Sequence, residues 1–327
     1  MKNSNLKHQK GHNLYISVII PVYNAASNLR RAVSSVLEQE VVNEIILVED
    51  GSHDHSPEIC ASLAREFNPV VFYQHEDKLN HGAGATRNLG IKKARNGWIA
   101  FLDADDYYLP NRFDRVNQLI GEQNVQVDGI YECLGIAFEN DQVKKEWIQK
   151  RSGTLLTTIF HAVPPDELLL SLLKGNNGSI HLNGLTVRKS CLEQVGLFSD
   201  HRISQDTYLI LRLAATGKLV AGNIASPVAI RQVHTGNRIT RSVQKNILAE
   251  LQVAVDLREW LRRHPHNIDR KIVTALEERT IKLNTDLFVK NKTNADAVYL
   301  FYSLLKHPQL LFSKTGVKYM LAVLRIL

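Results

Sequence analysis

Trp98-Ile99-Ala100-Phe101-Leu102-Asp103-Ala104-Asp105-Asp106 changes character at a single step, where an apolar run stops and a cluster of carboxylates begins. The same break occurs twice upstream. Val18-Ile19-Ile20 runs into Pro21-Val22-Tyr23-Asn24, and Ile45-Ile46-Leu47-Val48 runs into Glu49-Asp50-Gly51-Ser52. Short apolar runs without polar alternation read as strands buried on both faces, the signature of a parallel sheet covered by helices. In an open sheet of that kind the carboxyl ends of the strands share one edge, where ligands bind. The three polar stretches therefore line one crevice with an aromatic ring, an acid and three clustered carboxylates.

Working outward, strands and helices alternate. Tyr15–Pro21 reads as the first strand. A helix follows over 27–39, with Leu29, Ala32, Val33, Val36 and Leu37 at helical spacing and Ser27 placed to cap it. Strand Glu44–Val48, a helix near 56–66, strand Val70–Gln74, a helix opened by Gly82 and Gly84, and strand Trp98–Leu102 complete the pattern. This is an α/β class with a mostly parallel sheet flanked by helices. The remainder is less regular. Residues 127–138 read as one further strand, 166–174 as a Leu-rich helix, 182–187 as a strand and 205–216 as a helix. Beyond residue 241 the pattern is helical, with breaks near His264-Pro265 and His307-Pro308, giving a helical C-terminal extension over 241–327. Residues 1–13 are polar and read as a flexible tail.

Composition narrows the function classes. The chain has 327 residues, 44% apolar and 22% charged, close to globular averages. It has no internal repeat, which argues against a solenoid. No stretch approaches the ~18 uninterrupted apolar residues of a spanning helix. The N-terminus carries Lys2, Lys7 and Lys10, but Pro21 ends the apolar run too early for a signal peptide. Cys60, Cys133 and Cys191 are odd in number and far apart, which suits reduced thiols in a cytoplasmic protein. Charge is uneven: residues 228–327 carry 17 Lys and Arg against 8 Asp and Glu, whereas residues 1–227 carry 23 against 25. No nucleic-acid-binding pattern accompanies this basic end. At helical spacing Lys314, Lys318 and Arg325 fall within about 40° of one another beside an apolar face. Peripheral contact with an anionic membrane, at its inner face, and packing onto the rest of the protein are equally good readings of that helix.

The acid cluster is the sharpest chemical signal. Carboxylates this close repel one another unless cations, solvent or N–H groups compensate. Hard oxygen ligands suit Mg²⁺ or Mn²⁺, which complete their shells with water and phosphate oxygens; the plainer reading is a solvated acidic turn. A rival site is Gly82-Ala83-Gly84, a G-x-G with acids some 20 residues on, as in a dinucleotide fingerprint. Arg87 occupies its third glycine position, and the preceding loop is too long for the tight turn of that motif. An arginine at a helix start suits an anion contact better.

Together, Ser17–Asn24, Glu49–Asp54, Asn80–Asn88 and Phe101–Pro110 resemble the nucleotide-sugar half of family 2 glycosyltransferases of GT-A fold. Gly196-Leu197-Phe198, Gln205-Asp206 and Arg231-x-x-His234 resemble the acceptor half. The resemblance covers roughly 15–240, with 14–126 as the nucleotide-sugar-binding half and 127–240 as the acceptor-binding half. It implies an inverting transfer of a sugar from a nucleoside diphosphate, UDP above all, to a hydroxyl of a glycan or lipid-linked glycan. It also implies roles: Pro21 and Tyr23 at the base, Asp50 on the base N–H, Arg87 at the nucleotide or diphosphate, and Asp103 at the ribose or beside the metal. Asp105 would ligate Mn²⁺ or Mg²⁺, His234 would complete that site, and Asp206 would be the general base. Two positions depart from the family pattern: Glu49 stands for an aspartate, and Gln205 for the acid that commonly precedes the base. Two alternatives to this function are a non-catalytic nucleotide-sugar binder and an NAD(P)-dependent oxidoreductase.

Overall fold

The computed structural model describes residues 14–122, 126–150, 155–234, 243–264 and 269–291. The tail 1–13 and the basic helix carrying Lys314, Lys318 and Arg325 lie outside the described residues, as does the break near His307-Pro308. In chain order the first elements are β1 (Ile16–Val22), α1 (Leu29–Leu37), β2 (Val42–Glu49), α2 (Ser56–Glu66), β3 (Val70–Gln74), α3 (Ala83–Lys93), β4 (Trp98–Phe101), β5 (Tyr107–Tyr108) and α4 (Asp114–Gly121). The central portion holds β6 (Gly129–Tyr131), β7 (Leu134–Phe138), α5 (Asp141–Lys150), β8 (Leu156–Thr157), α6 (Pro165–Lys174), β9 (Leu185–Arg188) and α7 (Lys189–Gln194). Last come α8 (Gln205–Thr216), β10 (Leu219–Ala221), β11 (Ala229–Val233), α9 (Val243–Arg263) and α10 (Arg270–Asn291).

A seven-stranded sheet in the order β10-β6-β9-β4-β1-β2-β3 runs through both halves of the chain. β1, β2, β3 and β4 are mutually parallel, and β9 is the one antiparallel strand, between β4 and β6. Period-two alternation divides the apolar strands between two cores. Ile19, Ile46, Val48, Ile99 and Phe101 face α6, α8, α9 and α10, while Val18, Ile20, Ile45, Leu47 and Leu102 face α1, α2 and α4. Both faces are covered, which is why the runs are apolar without interruption. The C-terminal helices belong to the first of these cores through Val253, Ala254, Leu257, Leu261, Ala275 and Leu276.

Three local expectations are corrected. Ser27 does not cap α1; the helix begins at Leu29, and the Asn28 and Leu29 N–H groups bond to Ala25 O at 3.0 Å. Ala25 is itself held by Ser56 Oγ at 2.9 Å, so a tertiary contact sets the entry angle where a local cap was expected. Residues 127–138 form two strands in different sheets, β6 in the large one and β7 in a four-stranded sheet ordered β5-β11-β7-β8. The chain crosses between them at Glu132, a buried acid inside an apolar run. Residues 182–187 begin as a 3-10 turn, Leu182–Gly184, before β9 starts.

The crossing is anchored by a buried ion pair. Arg112 Nη1 lies 2.8 Å from Glu132 Oε2, and both side chains have no solvent exposure. Arg112 also donates to Asn183 O and Thr186 Oγ1, each at 3.2 Å. Its guanidinium stacks over Phe113 at 4.6 Å and Tyr108 at 5.0 Å. Glu132 Oε1 accepts from Asn223 N at 3.0 Å. One pair thus joins the loop after β5, the start of β9 and the chain leading to β11. Removing one partner of such a pair strands a charge in the interior, which costs about 3–5 kcal/mol. Arg112→Leu should lower unfolding stability by about that much in a urea titration. A loss of less than about 1 kcal/mol, the scale of an exposed pair, would contradict this account.

Candidate active site

The site forms where β1, β2 and β4 end. Val22 pairs with Glu49 in register, and Asp50 N donates to Val22 O at 2.9 Å, so Tyr23 and Asp50 leave adjacent strands side by side. Leu102 N bonds to Ile19 O at 3.1 Å on the other flank of β1, which brings Asp103 to the same edge. Pro21 lies in β1 just below. Asp50 organises the loop before α3: its carboxylate accepts His81 N at 2.7 Å and Gly82 N at 2.9 Å, and its carbonyl accepts Asn80 Nδ2 at 3.0 Å. Gly51 sits at φ +70°, and a side chain there would meet Asn80 N at 2.8 Å, so only glycine permits this approach. Burial would raise the Glu49 carboxyl, but hydrogen bonds from Ser52 and Gln74 hold it below its usual range.

The three clustered carboxylates meet three environments. Burial pushes Asp103 upward, but the Arg87 guanidinium, bonded to its Oδ1, together with His181 and Arg231, brings it below the ordinary value. Arg87 reaches it from α3 and lies 5.5 Å over the Phe198 ring. Asp106 is buried, accepting from Asn183 Nδ2 and from Gln232 N at 2.7 Å. Burial, then Asp105 and Asp103, raise its carboxyl well above the usual range. This is not a solvated turn. Asp105 stays half-exposed, with Arg31 Nη2 donating to its carbonyl at 2.8 Å. Burial and Asp103 raise its carboxyl against the opposing bond from His234.

Asp105 Oδ2 lies 3.2 Å from His234 Nε2. The small sheet makes this meeting possible: β11 pairs antiparallel with β5, Ile230 opposite Tyr107, and so carries residue 234 back to the acid cluster. A carboxylate oxygen and an imidazole nitrogen at one point suit a divalent cation, and the negative potential that raises Asp105 is what such a cation relieves. Among the described residues no group of three or more His, Cys, Asp or Glu could hold a metal. An ion here would therefore draw its remaining ligands from water and phosphate, as Mg²⁺ and Mn²⁺ do.

A further wall comes from α8, whose first residue packs against the start of α3. Asp206 lies in the first turn of α8, with Oδ1 accepting Thr207 N at 2.8 Å. Gln205, beside it, packs onto Gly84 at the start of α3; a Cβ on Gly84 would sit 2.0 Å from Gln205 Oε1. The Ser199 carbonyl oxygen, 3.1 Å from the same Cβ position, is backbone and cannot swing aside as the Gln205 amide can, so protein packing alone gives a small residue reason to stand here. The loop before α8 is tied to the C-terminal helices, since His201 Nε2 lies 2.6 Å from Asp256 Oδ2 on α9. Sequence reasoning missed His181. It falls within electrostatic reach of Asp103, Asp206, Arg87 and Arg231, and burial, with Arg231 next, pushes its imidazole down to about 4. A lone histidine between a loop and a strand carries no pattern that would have singled it out.

Comparison with known proteins follows this geometry. Residues 17–168 match the glycosyl transferase family 2 profile. An uncharacterized glycosyltransferase of Rickettsia bellii is 32% identical over 197 residues, covering 59% of this chain and 26% of that protein. Glycosyltransferase GlyG of Streptococcus pneumoniae is 37% identical over 113 residues, covering 34% of this chain and 37% of that protein. The chain thus spans well under half the length of these two relatives. Among solved structures, residues 1–349 of S. aureus TarS in complex with UDP-GlcNAc superpose with a TM-score of 0.61 at 17% identity, covering 94% of this chain and 81% of that one. The mannosyltransferase PcManGT of Pyrobaculum calidifontis, in complex with GDP-Man and Mn²⁺, gives a TM-score of 0.51 at 13% identity over 94% of this chain and 85% of that one. A segment of the chain that runs from β1 into α6 matches glycosyl transferase family 2, and the fold is GT-A.

Proposed function

We propose that the protein transfers a sugar from a nucleoside diphosphate, UDP in preference to others, to a hydroxyl of a glycan or lipid-linked glycan, with inversion and with a divalent cation. The observation that carries the proposal is the meeting of Asp105 and His234 at the strand edge that also holds Tyr23, Asp50, Arg87 and Asp103. Structural neighbours that bind UDP-GlcNAc, or GDP-Man with Mn²⁺, support the substrate class and the use of a cation.

In this reading Pro21 and Tyr23 flank the base. Asp50, with a lone pair left on Oδ2 after binding Gly82 N, takes the imide N–H of uracil, while its Oδ1 accepts His81 N and lies 3.6 Å from His75 Nε2. Cytosine presents an acceptor at that position and would be repelled. Arg87, paired with Asp103, keeps the crevice from becoming too negative for a diphosphate and contacts it or the nucleotide. Asp105 and His234 would hold Mn²⁺ or Mg²⁺, which as a Lewis acid offsets the charge that gathers on the leaving diphosphate. Asp206 takes the acceptor hydroxyl's proton as the hydroxyl oxygen attacks the anomeric carbon and the bond to the diphosphate breaks. A single displacement with one base inverts the anomeric centre.

Two results are expected. Asp206→Asn should lower turnover by about 10²–10⁴-fold, the usual worth of general-base help, while UDP affinity measured by calorimetry stays within a few-fold of wild type. Equal loss of both would remove Asp206 from the base role. Stripping divalent ions with EDTA should weaken UDP binding to the wild type by at least tenfold and have little effect on Asp105→Asn, which lacks the ligand. UDP binding that is indifferent to metal in both proteins would overturn the proposed cation site.

A further inference from the structure

His181 is held in one tautomer by its own backbone neighbourhood. It stands at the N-terminus of the 3-10 turn Leu182–Gly184, where its Nδ1 accepts the Asn183 N–H at 3.2 Å. An imidazole accepting at Nδ1 carries its proton on Nε2 when neutral, and burial with Arg231 nearby keeps this ring neutral. The same Asn183 accepts Asp103 N through Oδ1 and donates to Asp106 through Nδ2, so the turn that fixes the ring also fixes the acid cluster. Among the described residues Nε2 has no hydrogen-bond partner, yet it is not one of the side-chain nitrogens sealed from solvent without one. Asn183 ties this turn to Asp103, Arg87 bonds Asp103 from α3, and the start of α3 packs on Gln205 beside Asp206, so the ring stands among these groups, and Asp103, Arg87 and Asp206 all act on it electrostatically.

We propose that His181 is a donor-sugar contact, its Nε2–H donating to an oxygen of the transferred sugar. The inference rests on the proposed function, in which the transferred sugar lies between the diphosphate and Asp206. An oriented, uncharged donor there discriminates by hydrogen bonding, and a polar site built for one oxygen rejects ligands that lack it. It also explains why a nitrogen in so charged a setting is satisfied by none of the described residues.

The test separates the two ring nitrogens. In His181→Asn the amide oxygen replaces Nδ1 and keeps the cap, but nothing reaches the Nε2 position. In His181→Gln the amide nitrogen replaces Nε2 and the cap is lost. Calorimetry with Mn²⁺ would give the affinities of wild type and both variants for UDP, UDP-GlcNAc, UDP-glucose and UDP-galactose. Thermal melting would establish that each variant is folded. For the sugar nucleotide that wild type holds best relative to UDP, His181→Asn should lose about 3- to 10-fold in affinity, the span of one neutral hydrogen bond. UDP itself should change less than twofold, and His181→Gln should retain most of the sugar's contribution. The proposal is overturned if His181→Asn keeps the wild-type ratio, if UDP and sugar nucleotide weaken together, if His181→Gln loses as much of the ratio as His181→Asn, or if wild type holds no sugar nucleotide better than UDP. Failure of wild type to bind UDP at all would instead bring down the proposed function beneath it.

Discussion

Three carboxylates in four residues cannot share a desolvated cleft unless each is compensated differently, and the rest of the site follows from how this is done. Asp103 is neutralised by an arginine from α3. Asp106 is withdrawn into the interior, where an amide side chain and a backbone N–H satisfy it. Asp105 keeps a face toward the cleft, as Asp103 does, but is partnered by His234 rather than by an arginine. The sequence motif is symmetrical in charge but the structure is not: the three acids have an arginine, an amide with a backbone N–H, and a histidine as their partners. Like charges a few ångströms apart raise one another's proton affinity, and burial together with Asp103 raises Asp105 in this way against the bond from His234.

That asymmetry depends on distant chain. Gln232 is 126 residues from Asp106, and Asn183 is 77 residues from it. Both are brought in by the small sheet and the 3-10 turn, which converge on the buried Arg112–Glu132 pair. Replacing that pair with apolar side chains of similar volume need not cost stability. Its contribution lies in position: a guanidinium makes directed bonds to an asparagine carbonyl and a threonine hydroxyl as well as to the acid. Those bonds set the register of the turn from which both Asn183 and His181 act.

Much of this was legible in advance, for a definite reason. The strand-end residues Tyr23, Asp50 and Asp103 share an edge because parallel strands in one sheet end on one side, so apolar runs followed by polar residues suffice to predict the meeting. Arg87 read as an anion contact, and its bond to Asp103 appears only in the structure, because sequence places no arginine of α3 against a given strand end. The second half yielded less. The apolar run from Val127 to Phe138 conceals a change of sheet, and Glu132 within it was the available signal, since a lone acid in a buried run demands a partner. That partner, Arg112, reads as a surface residue by composition, and only tertiary structure shows it with no exposure. Ser27 fits every local rule for a helix cap and was displaced by a contact from α2. His181 carries its chemistry through a hydrogen bond two residues along the chain and through neighbours from other elements, which no spacing encodes.

The suspension of Asp106 between Asn183 and Gln232 bears on how such a protein can diversify. The segment matched to the family profile ends at residue 168, before either of these partners. Transplanted alone into another chain, that segment would carry a carboxyl built for the interior with nothing to receive it. Substitutions elsewhere in the chain therefore keep Asp106 satisfied only if that asparagine and that strand amide hold their places.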